Sequence, residues 1–341
     1  MRSMQGSTTL GDAFELLSRA SCLKIPYSTN ILSLLNNTPA LLPLLSGTEY
    51  QLDNKFQSCD FLCCLRLSDL MSLVRSLKPG QHPNDKFISE ISRMCRLCAG
   101  NADVLNMFDH IWFECDAVPT SALSLFLGID SEGGMWSVDK ELSKMATALN
   151  LLDSMYGVQG DRIKLFNIGR SIVEGLGRGT IYEVGFMGRS QNEAHVKLLI
   201  SPHSSYSQEN FIGESRYFSS EIDTILKRPK VHQVARAMID LQCTVNISVS
   251  VYASRQKFAV EFKPLYDPSK SSQFDNLWSQ VRDSLKLSTY NDCLSLSMAE
   301  AHCEEEGIRL SSRLHHIKFY LKETGDIGTK VYRDFRVASL Y

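Results

Sequence analysis

The chain has 341 residues, 43% apolar and 22% charged, enough to bury one large core or two ordinary ones. Its formal net charge of −2 argues against a generally basic surface for nucleic acid or anionic membranes, and no apolar run nears the roughly 18 residues that span a bilayer. Residues 1–9 hold no apolar stretch of a secretory signal, so a cytoplasmic location with ten reduced cysteines is expected.

Helical and strand periods alternate in pairs along the chain. A helix is expected at 10–23, then a first hairpin from strands 50–57 and 60–67. Helices at 68–77 and 84–99 precede strands 108–116 and 122–129. From Ser137, Leu142, Met145, Leu149 and Leu152 recur at helical spacing, and a second helix carries Ile163, Phe166 and Ile172. Strands 180–187 and 194–201 follow. The unit recurs as helices 213–227 and 232–241 with strands 244–252 and 257–263. It recurs again as helices 272–286 and 296–306 with strands 313–322 and 329–337. That makes five hairpins, or ten strands, and residues 1–341 are expected to form a single domain.

Alternate residues of a strand point to opposite faces. Val196, Leu198 and Ile200 oppose His195, Lys197, Leu199 and Ser201. Val245, Ile247, Val249 and Val251 oppose Asn246, Ser248, Ser250 and Tyr252. Phe258, Val260 and Phe262 oppose Lys257, Ala259, Glu261 and Lys263. In the last hairpin Ile317, Phe319 and Val331 oppose Lys318, Tyr320, Lys330 and Tyr332. The apolar face belongs under the amphipathic helices. The polar face meets either water, on an open sheet, or an enclosed lumen. So many strands need edge protection. The expectation is therefore an α+β fold of ααββ repeats, forming a closed antiparallel ten-stranded β-barrel with helices outside. Lysines crowded into a lumen call for an anion.

This pattern resembles the aromatic prenyltransferases of the ABBA, or PT-barrel, superfamily, whose inward Lys-x-Tyr pairs bind an allylic diphosphate. The matching pairs here are Lys318-x-Tyr320 and Lys330-x-Tyr332. The pattern is departed from at Lys197 and Lys263, each followed two residues on by leucine. The resemblance implies diphosphate binding by Lys197, Lys263, Lys318, Tyr320, Lys330 and Tyr332, with Arg66 as a further contact. It implies a carboxylate near the acceptor, for which Glu114 on the second repeat is the match; pairing with an inward lysine is its structural alternative. Trp112 and Tyr252 are candidates for stacking on the acceptor or the allylic cation. The implied partners are an isoprenoid diphosphate, of the dimethylallyl or geranyl class, and an aromatic small molecule or peptide. The alternative is a non-catalytic barrel that binds an anionic lipid or metabolite.

No Asp-Asp-x-x-Asp occurs, so no obligatory cofactor is expected; magnesium is admitted but not required. Cys95-x-x-Cys98 lies in a helical pattern without a second ligand pair, and buried thiols are expected there. His315 and His316 are neighbours, so strand alternation places them on opposite faces. Phosphate loops of the P-loop and Rossmann kinds are absent, as is a Gly-x-Ser-x-Gly nucleophile turn.

Overall fold

A computed structural model describes residues 45–51, 59–66, 85–101, 104, 107–115, 124–129, 136–177, 179–188, 194–202, 211–213, 219–241, 243–263, 276, 299–303 and 308–339. The helices expected at 10–23, 68–77 and 272–286 lie outside these, apart from the single helical residue 276. Helix α1 (Asp85–Ala99) leads into strands β3 (Phe108–Cys115) and β4 (Ser124–Ile129), after β1 (Leu45–Gln51) and β2 (Cys59–Arg66). Helices α2 (Val138–Tyr156) and α3 (Gln159–Gly175) precede β5 (Gly179–Met187) and β6 (His195–Pro202). Helices α4 (Ser220–Lys227) and α5 (Pro229–Asp240) precede β7 (Thr244–Tyr252) and β8 (Gln256–Lys263). The described chain ends with β9 (Ala299–Cys303), β10 (Ile308–Leu321) and β11 (Ile327–Ser339).

Local chemistry sets the helix limits. Ser137 caps α2 by accepting a bond from the Lys140 N–H at 3.2 Å, with Asp139 and Glu141 in the positive first turn. Gly157 ends it in the left-handed conformation, φ 68°. Glu141 then ties α2 to the sheet. Its carboxylate accepts the buried Ile181 N–H at 2.9 Å and an ammonium hydrogen bond from Lys144 at 3.1 Å. Ser219 caps α4, and Pro229 opens α5, where a missing N–H costs nothing.

The helices cover one face of the strands. Val196, Leu198, Val249, Val260, Phe262 and Phe319 are fully buried there. Cys95 and Cys98 join this core as free thiols, and burial pushes them up to about 11 and about 12. Among the described residues no cluster of His, Cys, Asp and Glu is suited to a metal, and no helix is long and apolar enough to cross a membrane.

The strands pair antiparallel in the order β11-β1-β2-β3-β4-β5-β6-β7-β8-β10-β9, with a further β10–β11 ladder. Connectivity and shape part company here. The closed ten-stranded barrel expected from the strand count is corrected: eight of these strands form an antiparallel surface that is open, wrapping 184° about its axis with its edges 15 Å apart. Closure needs a consistent tilt and stagger at every step. Two ladders, β4–β5 and β8–β10, hold only four registered pairs each. Bulges interrupt β3–β4, β5–β6 and β10–β11. Edge protection comes from the ladders themselves: β1 lies along β11, β2 along β3, and β9 along the first part of β10.

Strand β9 is a second correction. Residues 296–306 were expected to include a helix, but Ala299–Cys303 is a strand paired with Ile308–Ser312 of β10. Strand β10 is 14 residues long, and β8 covers only Ile317–Tyr320. The backbone left beyond β8 is satisfied by β9, and that outweighs the mild helix preference of Ala and Glu. The first hairpin is also displaced. Strand β1 begins at Leu45 rather than at Tyr50, in register with Arg336 of β11.

Candidate active site

The concave face carries the polar residues of β6, β7 and β8 and, in the last ladder, Lys318, Tyr320, Lys330 and Tyr332. A cavity of about 230 Å³ opens there, walled by side chains of β3, β5, β6, β7, β8, β10 and β11. Seven of the residues singled out in the sequence meet on its wall: Glu114, Lys197, Tyr252, Lys318, Tyr320, Lys330 and Tyr332. Lys257 joins them. It shares the polar face of β8 with Lys263, so alternation alone could have marked it.

The other three candidates are placed differently. Lys263 lies off the cavity wall, with its ammonium 3.4 Å from the Tyr182 hydroxyl and over that ring at 5.3 Å. Trp112 packs with Phe126 and Met187, and Met187 reaches the wall. The Trp112 indole N–H is buried and has no acceptor among the described residues. Arg66 sits on β2 opposite His110 in the ladder; its side chain lies outside the described residues.

Register organises the charges. Lys330, Lys318 and Glu261 stand in one row across β11, β10 and β8, each directly opposite the next. Lys318 donates to Glu261 at 3.0 Å and to the Ser248 hydroxyl at 2.9 Å. Burial, with Lys197 adding to it, pushes Lys318 down from 10.5 to about 8, against the pull of Glu261. Burial favours the neutral Glu261, but Lys318 and Lys197 overcome it and hold the carboxyl below its usual range. Burial and His315 hold His316 well below the usual imidazole range.

Aromatic rings line this face. His316 stacks on Tyr332 at 3.8 Å, and His195 stacks on Tyr252 at 4.1 Å. Lys257 and Arg255 lie over Tyr252, and Lys197 lies over Phe126. Three rings rest on cross-strand glycines: His110 on Gly128, Phe126 on Gly185, and Tyr320 on Gly328. A Cβ at any of the three would overlap the ring, so glycine here lets an aromatic lie flat against the sheet.

One carboxylate and one contact between histidines escaped sequence reasoning because of bulges. Simple alternation on β5 puts Glu183 with Ile181, on the helix-covered face. The register shift between them places Glu183 opposite Leu199, on the concave face. Burial raises its carboxyl to about 7, although Lys197 pulls the other way. On β10 the shift between Leu314 and His316 corrects the expected separation of the two histidines: their Nδ1 atoms are 2.9 Å apart.

No protein-family model matches the chain, and no curated protein does. Solved structures do. The crystal structure of AnaPT from Neosartorya fischeri is 13% identical and aligns over 85% of this chain and 77% of that one, at a TM-score of 0.41. NotF prenyltransferase is 12% identical over 93% and 85%, at 0.40. NotF in complex with brevianamide F and DMSPP is 10% identical over 95% and 92%, at 0.48. The likeness to these structures extends over most of the chain. At these scores it carries no argument about chemistry, which has to come from the cavity.

Proposed function

We propose that this chain is a prenyltransferase that moves an isoprenoid group, of the dimethylallyl or geranyl class, from its diphosphate to an aromatic small molecule or peptide. The supporting observation is the convergence of Lys197, Lys257, Lys318 and Lys330 with Tyr252, Tyr320, Tyr332 and the carboxyl of Glu114 around one cavity. The allylic C–O bond breaks, and its electron pair leaves with diphosphate. Charge gathers on the leaving oxygens as it does so, and fixed ammonium and phenol donors lower the barrier by meeting it. Ring faces beside the cationic carbon stabilise it and keep water away. The acceptor ring forms the new bond with its π electrons, and the displaced proton passes to Glu114. Glu114 is 4% exposed and lies on the same wall as the cations. In this reading the lysines neutralise the leaving group and magnesium is optional.

The test pairs dimethylallyl and geranyl diphosphate with indole, phenol and aromatic-peptide acceptors, in EDTA and in magnesium, and follows diphosphate release and product mass. Turnover in EDTA is expected. Glu114→Gln is expected to lose roughly 10²- to 10⁴-fold in turnover while still binding inorganic pyrophosphate. Diphosphate binding without turnover on any acceptor would instead establish a non-catalytic binder of an anionic lipid or metabolite.

A further inference from the structure

Lys318 and Lys330 stand directly opposite each other across the β10–β11 ladder, and both face the cavity. Like charges in that position repel. On the far side of Lys318, Glu261 is 2% exposed and lies on the same face, off the cavity wall. It accepts from Lys318 at 3.0 Å, and His316 Nε2 stands 3.7 Å from its other oxygen. The reaction proposed above makes no use of it.

We propose that Glu261 is a positioning residue for anion capture: from beside the wall it fixes Lys318 and keeps it an ammonium next to Lys330, so that both cations meet an incoming diphosphate. The inference rests on the anion-binding reading of the cavity and adds a residue to it. Lys318 is surrounded by charge from every side. Lys197 acts on it from β6, Glu261 from β8 and Lys330 from β11, while His316 on its own strand and Glu183 on β5 feel its charge; Lys263 and His315 act on those neighbours, and Lys257 and Glu114 stand on the cavity wall. Burial and Lys197 favour the neutral amine, and Glu261 opposes them through both its charge and its hydrogen bond. Without that carboxylate, Lys318 gives up its proton at a lower pH. If Glu261 were only a rival for the cation, its loss would tighten anion binding instead, so the sign of the effect decides.

The probe is inorganic pyrophosphate, titrated calorimetrically into the full chain between about pH 6 and about pH 10. Glu261→Gln is expected to bind about tenfold more weakly than the wild type near pH 8, to lose less near pH 6, and so to show a fall-off displaced to lower pH. Glu261→Asp keeps the charge with a shorter reach, and its profile is expected between the two. Equal or tighter binding by Glu261→Gln with an unmoved profile overturns the proposal. Should circular dichroism show Glu261→Gln unfolded, the Asp variant decides: a profile coincident with wild type overturns it. A wild type that binds no pyrophosphate at any pH brings down the anion-binding reading and this inference with it. Wild-type binding with an unmoved Gln profile removes only the role of Glu261.

Discussion

The outer and inner faces of β6, β7, β8 and β10 share one backbone, residue by residue in alternation, yet different forces hold them. Outside, Ile317 and Phe319 are fully buried among apolar neighbours, and Phe262 meets Phe319 edge to face at 6.0 Å. Inside, Lys318 lies between those two in sequence and is held by one carboxylate and one hydroxyl. Packing outside is spread over one large apolar cluster. The inner face balances charge against charge, pair by pair, and keeps a cavity with four lysines on its wall. An interior of that kind contributes little net stability, because desolvation offsets much of the attraction. The contrast teaches that one face of the sheet is built for folding, while the other keeps charged side chains around a cavity.

Truncation on the outer face gives the largest effect expected. Phe319→Ala should cost about 3 to 5 kcal/mol in urea unfolding, from lost burial plus the cavity left behind. Any cost below about 1 kcal/mol would erase the distinction between the faces. A charge on the inner face comes next. Glu183 titrates normally near 4.5 and is raised to about 7 in the fold. The folded state therefore binds more protons than the unfolded state between those values, and stability falls as pH rises through that window. Glu183→Gln should abolish the slope and unfold about 3 kcal/mol harder than wild type near pH 8. A parallel pair of stability-against-pH curves would show that Glu183 is solvated and that the inner face is not as dry as its geometry implies.

The inner face was readable from the sequence wherever strands are regular. On β6, β7 and β8, strict alternation places Lys197, Tyr252 and Lys257 together without reference to any fold. Each irregular element hid something. The β5 bulge concealed Glu183, and the β10 bulge concealed the His315–His316 contact. A two-residue period cannot register a one-residue insertion. Strand β9 was hidden because its five residues, Ala-Glu-Ala-His-Cys, carry no strand preference and owe their conformation to the open backbone of β10. The curvature of the sheet was hidden for a related reason. It depends on how many pairs each ladder holds, which is a property of two strands together, and counting strands led to a closed barrel where the sheet wraps 184°.

The smallest effect expected lies where the two faces trade off. Gly185 is buried and sits opposite Phe126, whose ring occupies the space a Cβ would fill. The same ring supports the Lys197 ammonium at 5.1 Å. Gly185→Ala therefore has to tilt the ring, and the tilt carries Lys197 with it. Overpacking of this kind costs about 1 to 3 kcal/mol, softened here because alanine reduces the freedom of the unfolded chain. Pyrophosphate affinity should fall by only a few-fold, since one lysine of four is displaced and none is removed. Pairing the variant with Phe126→Leu separates the causes. A smaller side chain at 126 should give back much of the stability, because it relieves the overlap, but it should not restore the affinity, because Lys197 has lost its ring. Recovery of both together would mean that Phe126 only fills space, and the inner face would then owe as much to packing as the outer one does.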